Sequence, residues 1–342
     1  MDQIQQQIKK RKILLIDGLN QYIRNFNVVP ITNDNGEFFG GVFGTLNTIK
    51  SLTETFHPNV LIWCWEGRNS GKRRREVFED YKAGRKVRKS LTRVFEFSSP
   101  EEEKENFKKQ LLKLKDYFSI LPMYQLEIEN LEADDVIAYV ANNLFKNDEK
   151  IIVSSDKDYL QLINENIRVY RPVKKELMTN EEVVKQYGVS SKNHALYKSI
   201  LGDPSDGIPQ LKKGFGSKTL IKLFPFLNED NIYTINDIIT FAEKNKEKNN
   251  KYEIFLTEEA RNILERNYNI IQLKDYNINT QSVEKIREIL INQKPVLSSS
   301  QLMIYFLKDQ LHSQIKNYNH WHKVFVPLNN SYNPLNEEKD IL

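Results

Sequence analysis

Short apolar runs alternate with longer amphipathic stretches over the first half of the chain. The runs are rich in Ile, Leu, Val and Trp and end in polar or turn residues, which is typical of buried strands. They lie at residues 12–17, 59–65, 151–155 and 167–171. Apolar residues recur at helical spacing at residues 38–56, 101–118 and 132–145. This alternation predicts an α/β domain at residues 12–178, with a largely parallel sheet and helices on both faces.

Helical periodicity dominates after Pro172. We predict helices at residues 180–187, 192–202, 216–225, 230–245, 257–272, 282–292 and 299–317. They define a helical domain, residues 179–325, that contains a loop rich in Gly and Pro. Residues 1–11 form a polar lead-in, and residues 326–342, with several Asn and few apolar side chains, are predicted to be a flexible tail.

The composition excludes several classes of protein. No apolar run is long enough to span a bilayer, so we expect no membrane partner, and the amino terminus lacks the apolar core of a secretory signal. Cys64 is the only cysteine, which excludes an intrachain disulfide and favours a reducing, cytoplasmic compartment. The abundance of Asn, Ile and Lys suggests a viral source, in which case the compartment is the host cytoplasm.

The formal net charge of +4 hides an uneven distribution. Residues 68–93, which we call the basic segment, hold eleven Lys or Arg and only three acids. Because the segment has few apolar residues, we predict an exposed insertion, helical or partly mobile. A solvated helix face would explain such a run on its own, but separated patches of charge also suit a protein that binds a polyanion.

Three of the predicted strands end at an acid: Asp17, Glu66 and Asp156. The carboxyl ends of parallel strands meet at one edge of a sheet, where ligands bind. An Asp at a strand–helix junction is often only an N-cap. Acids at three junctions weaken that explanation, because Ser, Thr or Asn would serve equally well.

Three short motifs add six carboxylates: LEADDV at 131–136, SSDKD at 154–158 and GDPSDGIP at 202–209. The nine candidate metal ligands are Asp17, Glu66, Glu132, Asp134, Asp135, Asp156, Asp158, Asp203 and Asp206. Clustered without cations, they would repel one another and several would protonate. Oxygen ligands without nearby Cys or His favour Mg²⁺ or Mn²⁺, and a pair of such ions stabilises in-line displacement at phosphorus.

The sequence KKGFGSK, residues 212–218, follows the last of these motifs. Gly214 and Gly216 let backbone N–H groups approach a phosphate, and Lys212, Lys213 and Lys218 add positive charge. Contacts of this kind hold a duplex without reading its bases.

The segments KILLIDGLN, LEADDV, SSDKDYLQL and GDPSDGIPQLKKGFGSKT resemble, in the same order, the motifs of the 5′-nuclease or flap endonuclease family. This family is found in phages and in the 5′-nuclease domain of bacterial DNA polymerase I, and the similarity covers about Lys12 to Leu223. The resemblance implies a PIN-like α/β nuclease domain, a helical arch at about 68–100 and a helix-three-turn-helix element at about 196–225. It also implies two-metal hydrolysis of phosphodiester bonds near 5′ ends, with Mg²⁺ replaceable by Mn²⁺ and with K⁺ at the helix-three-turn-helix loop.

The resemblance assigns further residues. EDYKAGRK is similar to the family's Tyr-Lys-x-x-Arg pattern, so Tyr81, Lys82 and Arg85 are expected to contact phosphate, and Lys82 and Arg85 to stabilise the transition state. The other expected DNA contacts are Arg24, Lys72, Arg73, Arg74 and Arg75. Glu66 departs from the family, which usually has Asp there. The aromatic residue that normally precedes the Arg at position 24 is displaced to position 22.

Three rival functions remain open. A phosphatase of the haloacid dehalogenase type would need a second Asp two residues after Asp17, where Leu19 stands. A small PIN-type ribonuclease shares the acids but lacks the GDPSDGIP–KKGFGSK element and the basic segment. A metal-free DNA-binding homologue would have lost acids that are all present here.

The expected substrates are DNA with 5′ flaps, nicks or 5′ ends and RNA–DNA hybrids, in line with removal of primers or flaps during DNA replication. We expect a monomer. A single-strand DNA-binding protein is a candidate partner of the carboxyl-terminal helices, although no motif identifies it.

Overall fold

The centre of the structure is a six-stranded sheet. The protein is represented by a computed structural model that describes residues 10–83, 90–273 and 278–331. The strands are β1 Lys12–Asp17, β2 Val60–Trp65, β3 Tyr124–Glu127, β4 Glu149–Val153, β5 Ile167–Arg171 and β6 Glu176–Met178. They lie in the order β3-β2-β1-β4-β5-β6, and all neighbours are parallel except the β5–β6 pair. The predicted α/β fold with a mostly parallel sheet is confirmed.

Fourteen α-helices lie in the described residues. They are α1 Gly18–Val28, α2 Gly40–Phe56, α3 Lys72–Val77, α4 Pro100–Ser119, α5 Ala133–Asn143, α6 Asn180–Tyr187, α7 His194–Leu201, α8 Ser217–Leu223, α9 Ile235–Asn245, α10 Glu258–Ile271, α11 Thr280–Asn292, α12 Ser299–Lys308, α13 Tyr318–Lys323 and α14 Val326–Ser331. None of them combines the length and the apolar character that a bilayer-spanning segment requires.

The hydrophobic pattern of the sequence did not predict β3, β6 or α1. The two strands are only four and three residues long and lie at the sheet edges, where few apolar positions are needed. Helix α1 carries many polar residues and begins with Gly18, which usually signals a turn. A Cβ at Gly18 would lie 2.1 Å from Nε1 of Trp63, so glycine is required for the helix to start directly at the end of β1.

Two hydrophobic layers cover the sheet, one on each face. Alternate residues of β1 point to opposite layers: Ile13 and Leu15 to one, Leu14 and Ile16 to the other. The first layer contains α5, and the second contains α1, α2 and α4. All four of these side chains are fully buried, as expected for a central parallel strand.

A separate core holds the middle of the helical region together. Phe224 is its centre and contacts the rings of Phe226, Phe241, Tyr252 and Phe255 at centroid distances of 4.9–5.9 Å. The core extends from Val189 to Leu264 and includes the helices on both sides of the Gly-rich loop. The Gly-rich loop is therefore held by a packed helical unit that is separate from the sheet layers.

The packing of the carboxyl-terminal helices differs from the predicted domain boundaries. Helix α11 packs against the first sheet layer through Ile286 and Leu290, and α12–α14 pack against the second through residues such as Phe306 and Trp321. They therefore belong to the sheet domain rather than to a helical domain ending at 325. The predicted flexible tail is wrong for residues 326–331, which form α14 with Leu328 buried; residues 332–342 lie outside the described residues.

Hydrogen bonds attach residues 90–92, at the carboxyl-terminal end of the basic segment, to α4. Oε1 of Glu103, a residue only 4% exposed, accepts hydrogen bonds from the backbone N–H groups of Leu91 at 2.8 Å and Thr92 at 2.7 Å and from Oγ of Ser90 at 2.9 Å. A buried carboxylate with three donors is stable because its desolvation is compensated.

The packing of α12 predicts a large cost for truncating its buried face. Phe306→Ala should lower the free energy of unfolding by about 3–5 kcal/mol, because Phe306 is fully buried between the rings of Tyr117 and Trp321. Leu307→Ala on the same helix is the control, since Leu307 is 49% exposed and its loss should change stability by about 0.5 kcal/mol or less. Urea unfolding measures both. Equal effects would mean that α12 does not pack on the sheet.

Candidate metal centre

Adjacent strand ends place Asp17 in the middle of the acidic site. Strand β1 lies between β2 and β4, and Asp17 is its last residue. Oδ2 of Asp17 accepts a hydrogen bond from Oγ of Ser154 at 2.8 Å, and Oδ1 accepts one from the N–H of Asn20 at 3.3 Å. Burial raises the pKa of Asp17 to about 7; the Ser154 hydrogen bond opposes this rise, and the charges of Asp156 and Glu66 add to it.

The start of α5 brings a first group of acids to the same edge. Oxygen atoms of Glu132, Asp134 and Asp135, which we call the first acid group, lie within 4.8 Å of one another. Glu66 joins β2 to this helix, because its Oε2 accepts a hydrogen bond from the N–H of Ala133 at 3.3 Å. Burial raises the pKa of Glu66, and the charge of Glu132 adds to the rise.

A second acid group consists of Asp158, Asp203 and Asp206, whose oxygens also lie within 4.8 Å of one another. Asp158 begins a 3₁₀-helix, Asp158–Leu162, just after β4. Asp203 and Asp206 belong to a tight turn closed by a hydrogen bond from the N–H of Asp203 to the carbonyl oxygen of Ile208 at 2.9 Å. Two distant segments of sequence thus meet in this group.

Lys198 neutralises the second acid group, and the sequence analysis did not identify it. Its Nζ donates to Oδ2 of Asp203 at 2.7 Å and to Asp158. Burial raises the pKa of Asp158 to about 6 although Lys198 opposes the rise, while at Asp203 the effect of burial is outweighed and Lys198 lowers the pKa. The only sequence signal was a basic residue one turn before the GDPSDGIP motif.

Arg74 is the main correction to the predicted DNA contacts. Its side chain is only 2% exposed and lies inside the first acid group. Nη2 donates to Oδ1 of Asp135 at 3.0 Å and to Oδ2 of Asp134 at 3.2 Å, and the guanidinium also contacts Glu132. Burial alone would lower the pKa of Arg74, but the three carboxylates raise it above its ordinary value. In this arrangement Arg74 is an internal counter-charge and is not available to a DNA phosphate.

Tyr81 and Lys82 also face the acids. The Tyr81 hydroxyl donates to Oε2 of Glu132 at 3.1 Å, and the Lys82 ammonium pairs with Glu132 while lying 4.8 Å from the centre of the Tyr81 ring. Burial would raise the pKa of Glu132, but Arg74 and Lys82 lower it. The backbone N–H of Lys82 donates to the carbonyl oxygen of Asp206 at 2.9 Å, which links the basic segment to the second acid group.

The remaining predicted contacts differ in accessibility. Lys72 and Arg75 are exposed on α3, Arg24 is half-buried on α1, and Arg73 donates to Oδ1 of Asp135 at 3.3 Å. Arg85 lies outside the described residues. The loop residues are all exposed and comprise Lys212, Lys213, Gly214, Gly216 and Lys218. Gly214 has φ +86°, a conformation that favours glycine.

The donor set of the two acid groups fits a hard divalent cation. Each group offers three carboxylates, and neither contains His or Cys among the described residues. Carboxylate oxygens suit Mg²⁺ and Mn²⁺ better than metals that prefer nitrogen or sulfur. Asp17, Glu66 and Asp156 add three more carboxylates beside these groups.

Comparison with known proteins gives independent evidence on the class of this protein. The family model of the 5′-3′ exonuclease N-terminal resolvase-like domain matches residues 12–188, more than half of the chain. A 5′-3′ exonuclease of Aquifex aeolicus is 29% identical over 215 residues, which cover 62% of this chain and 68% of the relative. A thermostable DNA polymerase I of Thermus caldophilus is 31% identical over 217 residues, covering 63% of this chain but only 24% of the polymerase.

A solved structure supports the fold. The bacteriophage T5 flap endonuclease, in a complex with DNA and metal ions, aligns with a TM-score of 0.61 and 18% sequence identity over 88% of this chain and 99% of the phage protein. This likeness shows that the two proteins share a fold. The chain belongs to the 5′-3′ exonuclease family, so the expected class, a 5′-nuclease, is confirmed.

Because Arg74 is buried among carboxylates, its removal should destabilise the protein, and a bound metal ion should offset part of that loss. Arg74→Ala leaves the first acid group without its internal counter-charge, so the free energy of unfolding in EDTA should fall by about 3–5 kcal/mol. Addition of Mg²⁺ should recover part of the loss, because a cation bound to the folded state replaces the missing charge. Arg75→Ala, which removes an exposed side chain of the same helix, is the control and should change stability little. A loss that Mg²⁺ does not reduce would contradict this account.

Proposed function

We propose that the protein is a structure-specific 5′-nuclease that hydrolyses phosphodiester bonds at 5′ flaps, nicks and 5′ ends by a two-metal mechanism. The observation that carries the proposal is the meeting of two compact acid groups at the carboxyl edge of the sheet, one from α5 and one from the Asp158 and Asp203 turns. The similarity to 5′-3′ exonucleases and to a DNA-bound flap endonuclease supports the choice of substrate.

The carboxylates divide into two ligand sets in this proposal. Asp17, Glu66, Asp134 and Asp156 would hold one divalent cation, and the second acid group would hold another, with Glu132 and Asp135 acting directly or through bound water. Bound Mg²⁺ or Mn²⁺ supplies hydroxide from water near neutral pH and neutralises the reacting phosphate. The products would carry a 5′-phosphate and a 3′-hydroxyl.

Lys82 and Arg85 supply positive charge to the transition state in this proposal. Lys82 is suited to the role because its ammonium, held over the Tyr81 ring, already lies at the edge of the first acid group. Its side chain is 22% exposed, so it is accessible to substrate in a way that Arg74 is not. Lys72, Arg73 and Arg75 on α3, with Arg24 on α1, would guide the single strand toward the acids.

The Gly-rich loop would hold the duplex. Its lysines are exposed and, in the described part of the chain, make no ion pair, so their charge is available to phosphates. Contacts to the backbone do not read sequence, which suits an enzyme that recognises DNA structure. K⁺ at this loop is part of the proposal.

The wider role is proposed on the same basis. Removal of RNA primers from RNA–DNA hybrids, action as a monomer, a cytoplasmic location and a single-strand DNA-binding protein as partner remain proposals. A PIN-type ribonuclease is disfavoured by the presence of the loop, and a metal-free DNA-binding homologue by the completeness of both acid groups.

Replacing one central carboxylate tests the mechanism. Asp156→Asn should lower the cleavage rate of a labelled 5′-flap duplex by about a thousandfold or more, because the first cation loses a charged ligand. Binding of the same duplex, measured by fluorescence anisotropy in Ca²⁺, should persist. Asp230→Asn, at an exposed acid paired with Lys192, is the control and should leave cleavage unchanged. Near-normal cleavage by Asp156→Asn in Mg²⁺ would refute the assignment, and so would cleavage in EDTA.

The loop lysines predict a salt effect. The double variant Lys213→Ala/Lys218→Ala should weaken duplex binding about tenfold at 100 mM salt and reduce the slope of log affinity against log salt by about one to two, since each phosphate contact releases counterions. Lys108→Ala/Lys285→Ala, on α4 and α11, is the matched control. Anisotropy titrations at several salt concentrations measure both. An unchanged slope in the loop variant would exclude the loop from duplex binding.

A further inference from the structure

Helix α10 contacts both of the chain segments that supply the second acid group, although none of the three acids belongs to it. Its first half packs into the helical core that holds the Gly-rich loop, through the buried side chains of Ala260 and Leu264. In its last turn, Ile270 and Ile271 belong to a small apolar cluster with Ile208 of the GDPSDGIP turn. The helix is therefore fixed along its length and can act as a rigid support for the acids.

The side chain of Asn267, on α10, is fully buried and joins the two ends of the GDPSDGIP turn. Its Nδ2 donates to the carbonyl oxygen of Ser199 at 2.9 Å, before the turn, and to that of Pro209 at 2.9 Å, at its end. Nη2 of Arg266 donates to Oδ1 of Asn267 at 2.9 Å, which fixes the direction of the amide. Both N–H groups of the amide thus hold the segment that carries two of the three acids.

The Ser199 carbonyl needs a donor from outside its own helix. If α7 continued, this carbonyl would accept from the N–H of residue 203. That N–H instead donates to the carbonyl oxygen of Ile208 at 2.9 Å and closes the acidic turn. Ser199 is fully buried, and a buried carbonyl without a donor is costly. Asn267 therefore replaces the hydrogen bond that α7 loses where the acidic turn begins.

Gln161 holds the other acidic segment to the end of the same helix. It lies in the 3₁₀-helix that follows β4, and its Nε2 donates to the carbonyl oxygens of Asp158 at 2.9 Å and of Ile271 at 3.0 Å. Its Oε1 accepts from the N–H of Leu273 at 2.9 Å. The two amide contacts involve positions 267 and 271 of α10, which lie about 6 Å apart along the helix axis. One rigid helix therefore sets the spacing of the two acidic segments.

We infer that Asn267 and Gln161 are positioning residues for the cation bound by the second acid group. The inference rests on the proposed two-metal function and adds to it two residues that act through the backbone of the ligands. Mg²⁺ requires near-ideal ligand geometry, and groups that orient metal ligands typically change metal affinity by about 10–100-fold. Loss of either amide should therefore weaken the second cation and leave the first cation, which other segments bind, unchanged.

Metal binding in the absence of DNA tests the inference. Mn²⁺ is titrated into the protein and followed by electron paramagnetic resonance, which distinguishes free from bound ions. The unmodified protein should bind two ions. Asn267→Ala should weaken the binding of one ion about tenfold and leave the other unchanged. Gln161→Met, at a half-buried position, should have the same effect, and it decides the result alone if Asn267→Ala fails to fold.

The Mg²⁺ dependence of flap cleavage separates positioning from a merely structural role. In both variants the Mg²⁺ concentration that gives half of the maximal rate should rise about tenfold, and saturating Mg²⁺ should restore most of the rate. The assays are run at a temperature at which circular dichroism shows the variants to be folded. A residue that only supported the fold would then leave this midpoint unchanged. Asn262→Ala, exposed on α10, and Gln281→Met, exposed on α11, are the matched controls and should behave like the unmodified protein.

The outcomes separate this inference from the function on which it rests. If the folded variants leave the Mn²⁺ sites and the Mg²⁺ midpoint unchanged, or weaken both Mn²⁺ sites equally, the positioning role is refuted while the nuclease assignment stands. Absence of cleavage of any flap duplex by the unmodified protein in Mg²⁺ would refute the nuclease assignment itself.

Discussion

The gathering of nine carboxylates at one edge of a sheet is the constraint on which the rest of the structure depends. Carboxylates in a partly buried site repel one another unless cations lie between them. The chain meets this demand with its own side chains: Arg74 and Lys82 at the first acid group and Lys198 at the second. Because two of these cations come from the basic segment and the third from α7, charge neutralisation also joins the sheet domain to the helical region.

Much of this site was predictable because strand ends and short motifs obey local rules. Asp17 and Asp156 follow apolar runs in parallel strands, so their convergence follows from topology. The counter-ions were harder to predict from the sequence. Arg74 stands in an ordinary run of basic residues, and only long-range packing shows that it is buried while Arg75 is exposed. Lys198 was missed for the same reason. Its partners are set by the three-dimensional path of the turns.

The sequence predicted the secondary-structure elements better than it predicted the domain boundaries. Helical periodicity identified α11 and α12 but not the surfaces that they cover, because an amphipathic helix shows which face is buried and not what buries it. The two helices pack on opposite layers of the sheet through Ile286 and Phe306. The first and last parts of the chain thereby share the two layers of the sheet domain, while the Gly-rich loop packs on a separate helical core.

The two anchors of the basic segment have a consequence for how such proteins can vary. On one side, Arg74, Tyr81 and Lys82 are tied to Glu132, and on the other, Glu103 holds residues 90–92. Neither anchor depends on the number of residues joining Ala83 to Ser90. The number of residues between the two anchors can therefore differ between relatives without shifting Glu132 or Glu103.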